Sequence, residues 1–110
     1  MIEDLINGAI DKFNARVARD NTLKKELEGM TRTVQIELKD GRSFCFSLKD
    51  NVMGDFHEGR VDNPDIKIVS DEATLSGLLN GTIRPMKAWA TKKVQFKASL
   101  EDLMRIRKFF

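Results

Sequence analysis

Residues 65–98 constrain the fold most, because they read in one order only: strand, capped helix, a second helix opening at a proline, strand. Ile66 and Ile68 alternate with Lys67, the period of a half-buried strand. Ser70 or Asp71 caps the helix that follows, and Glu72 suits its positive N-terminal end. Leu75, Leu78 and Leu79 fall on one helical face, and Gly81 is placed to end the helix. Pro85 fits the first turn of a new helix, where its missing N–H is not needed. Met86 and Trp89 share a face of that helix, and Val94 and Phe96 then alternate with Gln95 and Lys97. The helices between the two strands allow these to lie as parallel neighbours through a crossover.

The remaining segments complete the pattern. Ile2, Leu5, Ile6, Ala9, Ile10, Phe13 and Val17 recur at three and four, predicting an amphipathic helix over 2–18. A second short helix is expected over 20–29, capped by Asp20 or Thr22 and stopped at Gly29. Thr33 to Lys39 alternates, with Val34, Ile36 and Leu38 facing one way. Asp40-Gly41 is the strongest hairpin signal in the chain. Ser43 to Leu48 returns with Phe44, Phe46 and Leu48 on the buried face and Cys45 and Ser47 opposite. A turn at Lys49-Asp50-Asn51 leads to a less regular strand over 52–58, where Gly54 marks a bulge. Ser99 caps a last helix whose apolar side is Leu100, Leu103, Met104 and Ile106 or Phe110. The sum is one α+β domain over 1–110: a five-stranded, mainly antiparallel sheet with helices over one face.

Composition closes several functional classes. With 41% apolar and 33% charged residues the chain is globular rather than disordered. Nineteen basic and seventeen acidic residues leave a net charge of +2, and nucleic acid is not an expected partner. Arg84, Lys87, Lys92, Lys93 and Lys97, with Arg105, Arg107 and Lys108, crowd the C-terminal third as a solvated basic face, with a transient anionic membrane surface as the next reading. The lone Cys45 excludes an internal disulfide. No apolar run approaches a membrane span and the N-terminus lacks a signal-peptide pattern, so a cytoplasmic location is expected. His57 and Cys45 lack the partners that a metal site or a nucleophilic pair requires. No catalytic residue, metal or cofactor is expected, and an enzyme is not predicted.

Residues 31–110 resemble the sterol carrier protein type 2 family of small lipid-carrier domains. The resemblance rests on Asp65 to Glu72, the leucine helix Leu75 to Gly81, Arg84-Pro85-Met86-Lys87-Ala88-Trp89, and the basic strand Lys93 to Lys97. Thr91-Lys92-Lys93 and Ala98-Ser99 stand where the family commonly has glycine turns. The resemblance implies an apolar tunnel between sheet and helices that takes up sterols, fatty acids, fatty acyl-CoA or phospholipids, generally without catalysis.

On this basis the expected function is non-catalytic lipid binding and transfer, as a monomer or weak homodimer. The expected tunnel lining is Met86, Trp89, Phe96, Leu100, Leu103 and Met104, with Phe44, Phe46, Ile66 and Ile68 as its sheet-side floor or as ordinary core, and Arg84, Lys87 and Lys93 meeting an anionic headgroup. The alternative is a regulatory or protein-interaction module that kept the fold without a working tunnel, Phe109 and Phe110 mediating dimer contact.

Overall fold

Alternation in the first half of the chain builds three antiparallel strands, and two turns set their register. The computed structural model describes residues 2–108, with side chains to residue 105; Ile106, Phe109 and Phe110 as side chains lie outside that description. Strands β1 (Arg32–Leu38) and β2 (Ser43–Lys49) pair with Val34 opposite Phe46 and Ile36 opposite Phe44. The connection is the three-residue form of the hairpin rather than a two-residue turn. Gly41 N–H donates to the Leu38 carbonyl at 3.0 Å with φ +101°, a left-handed conformation that glycine adopts freely. Asp50 and Asn51, both at positive φ (53° and 67°), then form a two-residue turn into β3 (Val52–Glu58). The β2–β3 register shifts by one residue between Cys45 and Ser47, and the bulge centres on Asp55 at φ +59°, next to the glycine expected to mark it.

Strand β4 (Ile66–Ser70) joins the other side of β1 in parallel, and β5 (Val94–Lys97) pairs antiparallel with β4, giving the order β3-β2-β1-β4-β5. The parallel pairing expected of β4 and β5 is therefore corrected. Two helices, not one, separate these strands: α3 (Glu72–Asn80) and α4 (Pro85–Ala90). One helix carries the chain to the opposite end of a sheet; two retrace it, and Ser70 faces Val94 at the end where the excursion began. Asp71, not Ser70, caps α3, its Oδ1 accepting from the Thr74 N–H at 2.7 Å. Ser70 is instead fully buried and donates from Oγ to the Lys93 carbonyl at 2.9 Å, tying β4 to the start of β5. Gly81 ends α3 at φ +84° and Pro85 opens α4, both as expected.

The far face of the sheet is strapped by residues 59–65, which cross from β3 to β4. Gly59 N–H donates to the Ser43 carbonyl, Val61 N–H to Gln35 Oε1, and Arg60 pairs with Glu37 at 3.0 Å. Beneath this strap Gln35 and Cys45 are almost wholly buried.

On the other face lie α1 (Ile2–Arg19), α2 (Asn21–Leu27) and α3. Ile2, Ile6 and Ile10 pack with Val34, Ile36, Leu38, Phe44, Phe46 and Leu75. Val17, near the other end of α1, joins Leu23, Leu27 and Leu48 in a second cluster. The last helix, α5 (Leu100–Lys108), is held by polar groups: buried Asp102 accepts from Arg32 Nε at 2.8 Å, and Ser99 Oγ caps its N–H.

The α3 cap gives a stability prediction. Thr74 N–H and hydroxyl hold the Asp71 carboxyl below its ordinary range. The folded value lies below the unfolded one, so the stabilisation is complete above about pH 4 and fades as pH falls through the folded value. Asp71→Ala is expected to cost about 1 kcal/mol in urea unfolding at pH 7, and the gap from wild type to narrow below pH 4.

Candidate functional site

Two helices of unequal length cover the sheet, and the space between them is the principal cavity. At 1.5 Å per residue α1 is roughly 27 Å long and α3 about 14 Å. Beyond the end of α3, one flank of α1 therefore has no helical neighbour. A cavity of about 460 Å³ fills that space, within the ordinary size range of small-molecule sites. Its floor is the inner face of the sheet: Ile36, Phe46, Met53, Ile68, Val94 and Phe96. One wall is α3, with Leu75, Leu78 and Leu79, continued by Pro85 at the start of α4. The opposite wall is α1, with Ile6, Ala9, Ile10 and Phe13. The only charged lining groups are Lys12 and Arg16, exposed on the α1 rim and in no ion pair among the described residues.

The α1 wall is held in place by one side-chain amide. Met53 lies on an edge strand, where backbone groups lack a ladder partner. Asn14 supplies both partners: its Oδ1 accepts from Met53 N–H at 2.8 Å and its Nδ2 donates to the Met53 carbonyl at 2.9 Å.

Of the six residues expected to line a tunnel, Phe96 lines this cavity. The helices turn the others elsewhere, for identifiable reasons. In α4 the inward residue is Ala88, so Met86, two positions back, is 48% exposed. Trp89 packs edge-on against Phe96, ring centres 6.2 Å apart, and stays 39% exposed. In α5 the inward group is Asp102, and Leu100 and Met104 two residues either side of it are 76% and 56% exposed. Leu103 is half-buried and does not line the cavity. Arg84, Lys87 and Lys93 do come together, around a separate hollow of about 320 Å³ shared with Thr82, Ile83, Ala88 and Thr91. The two share no lining residue, and both border α4. Lys92, between Thr91 and Lys93 of that lining, takes the left-handed conformation at φ +60°.

Ala9, Lys12 and Arg16 are lining residues that pattern reading missed. Their signal was their spacing of three and four along the margin of the apolar stripe, where alanine replaces a large side chain.

Cys45 and His57 are opposed across β2 and β3. However, the thiol donates to the Gly59 carbonyl, burial pushes it up, and His57 Nδ1 lies 2.8 Å from the Asp55 carbonyl. Among the described residues no group of three or more His, Cys, Asp or Glu could hold a metal. Among the described residues no helix is long and apolar enough to cross a membrane.

The family model of the SCP-2 sterol transfer family matches residues 10–110. The chain belongs to that family. No curated protein matches it in sequence. Among solved structures it is similar to a sterol carrier protein 2 like 2 from Aedes aegypti, at 12% identity and a TM-score of 0.63, each chain covered completely. The palmitated form of that Aedes aegypti protein aligns at 12% identity and a TM-score of 0.58, over 92% of this chain and 89% of that one. A stereoselective inverting sec-alkylsulfatase from Pseudomonas sp. contains a similar unit, at 14% identity and a TM-score of 0.59. There the match covers 74% of this chain and 13% of the sulfatase. At such identities these structures establish the α+β fold that SCP-2 members share.

Two outcomes follow. Asn14→Ala leaves two half-buried backbone groups of Met53 without a partner and is expected to cost about 1–3 kcal/mol, read by urea unfolding. The Cys45 thiol is expected not to react with Ellman's reagent in the folded protein over a period in which the urea-unfolded chain reacts fully; rapid native reaction would contradict its burial.

Proposed function

We propose that this SCP-2 chain binds and carries a lipid with a long apolar chain and an anionic head, of which a fatty acid is the simplest, and does no chemistry on it. The cavity carries the reading: fourteen of its sixteen lining residues are apolar, and the two charged ones are exposed cations that enter no ion pair among the described residues. Each methylene moved from water onto such walls contributes about 0.8 kcal/mol, so a chain is held without polar contacts along its length. Lys12 and Arg16 then face a carboxylate or phosphate. Fatty acyl-CoA and phospholipids share that chemistry; a sterol would use the walls alone. The palmitated state of the Aedes aegypti protein is consistent with an acyl chain in this fold. Membrane association would be transient, at loading and unloading.

A second reading, an interaction module with no lipid to carry, draws on Leu100 and Met104, which α5 leaves at the surface. Lipid uptake separates the two. A fluorescent fatty acid such as cis-parinaric acid is expected to bind the wild-type protein. Ala9→Phe, which places a ring in the cavity, is expected to lower affinity tenfold or more with an unchanged far-UV circular dichroism spectrum. Lys12→Glu with Arg16→Glu is expected to weaken fatty acid binding roughly three- to tenfold, as exposed charge pairs do, and to leave a fatty alcohol unaffected. Absence of uptake by wild type, or equal affinity in Ala9→Phe, would sink the carrier reading.

A further inference from the structure

The short helix α4 borders both the apolar cavity and the basic hollow, and its outer surface is neither core nor ordinary solvated helix. Successive residues turn by about 100°. Ala88 points inward. Met86 and Ala90 therefore point outward, Trp89 lies on the Phe96 flank, and Arg84, Lys87 and Thr91 lie on the flank of the hollow. Two large apolar side chains, Met86 and Trp89, are thus left at the surface beside Arg84, Lys87, Lys92 and Lys93.

The charge around this face is of one sign. From Ala73 to Leu100 the chain has no Asp or Glu, and none lines the hollow. Arg84, Lys87, Lys92 and Lys93 enter no ion pair among the described residues. Elsewhere Arg32, Arg42, Arg60, Lys67 and Arg105 all find carboxylates. Exposed tryptophan and methionine ringed by unpaired cations match a bilayer interface, where indole rings settle at headgroup depth and basic side chains meet anionic lipid. A protein partner with acidic rim and apolar centre would need matching shape; a fluid lipid surface does not.

We infer that the outer face of α4 docks on an anionic phospholipid surface, with a lipid phosphate in the hollow lined by Arg84, Lys87 and Lys93 and with Met86 and Trp89 at headgroup depth. Pro85 and Phe96, which line the cavity, belong to α4 and to the strand beneath it, so the docked face is the cavity wall nearest the bilayer. The inference rests on the carrier reading for its purpose, since a carrier must meet the membrane it loads from.

Trp89 is the only tryptophan in the chain, so its fluorescence reports on this face directly. Vesicles of mixed phosphatidylglycerol and phosphatidylcholine are expected to shift its emission to the blue. Lipids brominated near the headgroup are expected to quench it, while pure phosphatidylcholine leaves it unchanged. Binding is expected to weaken as salt is raised. Met86→Glu, and separately Lys87→Glu with Lys93→Glu, are expected to lower vesicle affinity roughly tenfold or more. Both variants keep Trp89, and circular dichroism checks their folding. No shift with anionic vesicles, vesicle binding unchanged in both variants, an equal shift with glycerol phosphate alone, or a blue shift on concentrating the protein without lipid would each overturn the inference. Cis-parinaric acid uptake measured in parallel separates the two readings: vesicle binding lost with uptake intact removes the docking face, and uptake absent with vesicle binding intact removes the carrier.

Discussion

A five-stranded sheet needs more cover than one long and one short helix can give, and most of the molecule follows from that mismatch. Helix α1 closes over the β3-β2-β1 side, anchored by Ile2, Ile6 and Ile10 in one cluster and Val17 in the other. Helix α3 covers only part of the rest. The 460 Å³ left over is a cleft open to solvent, with walls that are almost all apolar. Apolar walls offer water in that cleft few hydrogen-bond partners, so on the proposed carrier reading an apolar guest would be favoured there over water.

What keeps the mismatch from collapsing is polar and peripheral. The Asn14 amide fixes α1 to the β3 edge by bonding both backbone groups of Met53, so the wall cannot slide inward without stranding them. Asp102 does the same for α5, since its buried carboxylate stays paired with Arg32 only in one orientation of the helix. On the far face the strap over Gln35 and Cys45 lets that side of the sheet be buried without a helix layer. The helices are thus left to one face, and the guest space with them.

The fold was legible because its determinants are local and periodic. The alternation of Val34, Ile36 and Leu38, the Asp40-Gly41 signal, the Asp71 cap, Gly81 and Pro85 each specify a conformation within a few residues. The β4–β5 direction was not, because it depends on how two helices retrace their path. Of the residues expected around a tunnel, Phe96, with Phe46 and Ile68 of the floor, borders the apolar cavity. Met86, Trp89, Leu100 and Met104 are apolar in type, and an apolar type in a short amphipathic helix normally means burial. In α4 a small residue, Ala88, takes the inward position; in α5 an acidic one, Asp102, does so. No periodicity encodes an inward aspartate whose partner, Arg32, lies seventy residues earlier. Conversely, Ala9 looked like filler on a helix face, whereas its small side chain leaves room in the cavity.

Apolar walls and a cationic rim also divide the tasks of affinity and selection. One methylene more or less changes binding by only about 1–3 kcal/mol, and the cavity has no buried donor or acceptor along its walls to reject a wrong chain. On the carrier reading proposed above, chain length and unsaturation would therefore be poorly discriminated. The head would be read where Lys12 and Arg16 stand, in water, where charge attraction is weak and easily screened. Such a site would hold its guest by an effect that a bilayer supplies equally well. Transfer in either direction would then be close to balanced, with loading and unloading set by the lipid supply at the membrane rather than by a change in the protein.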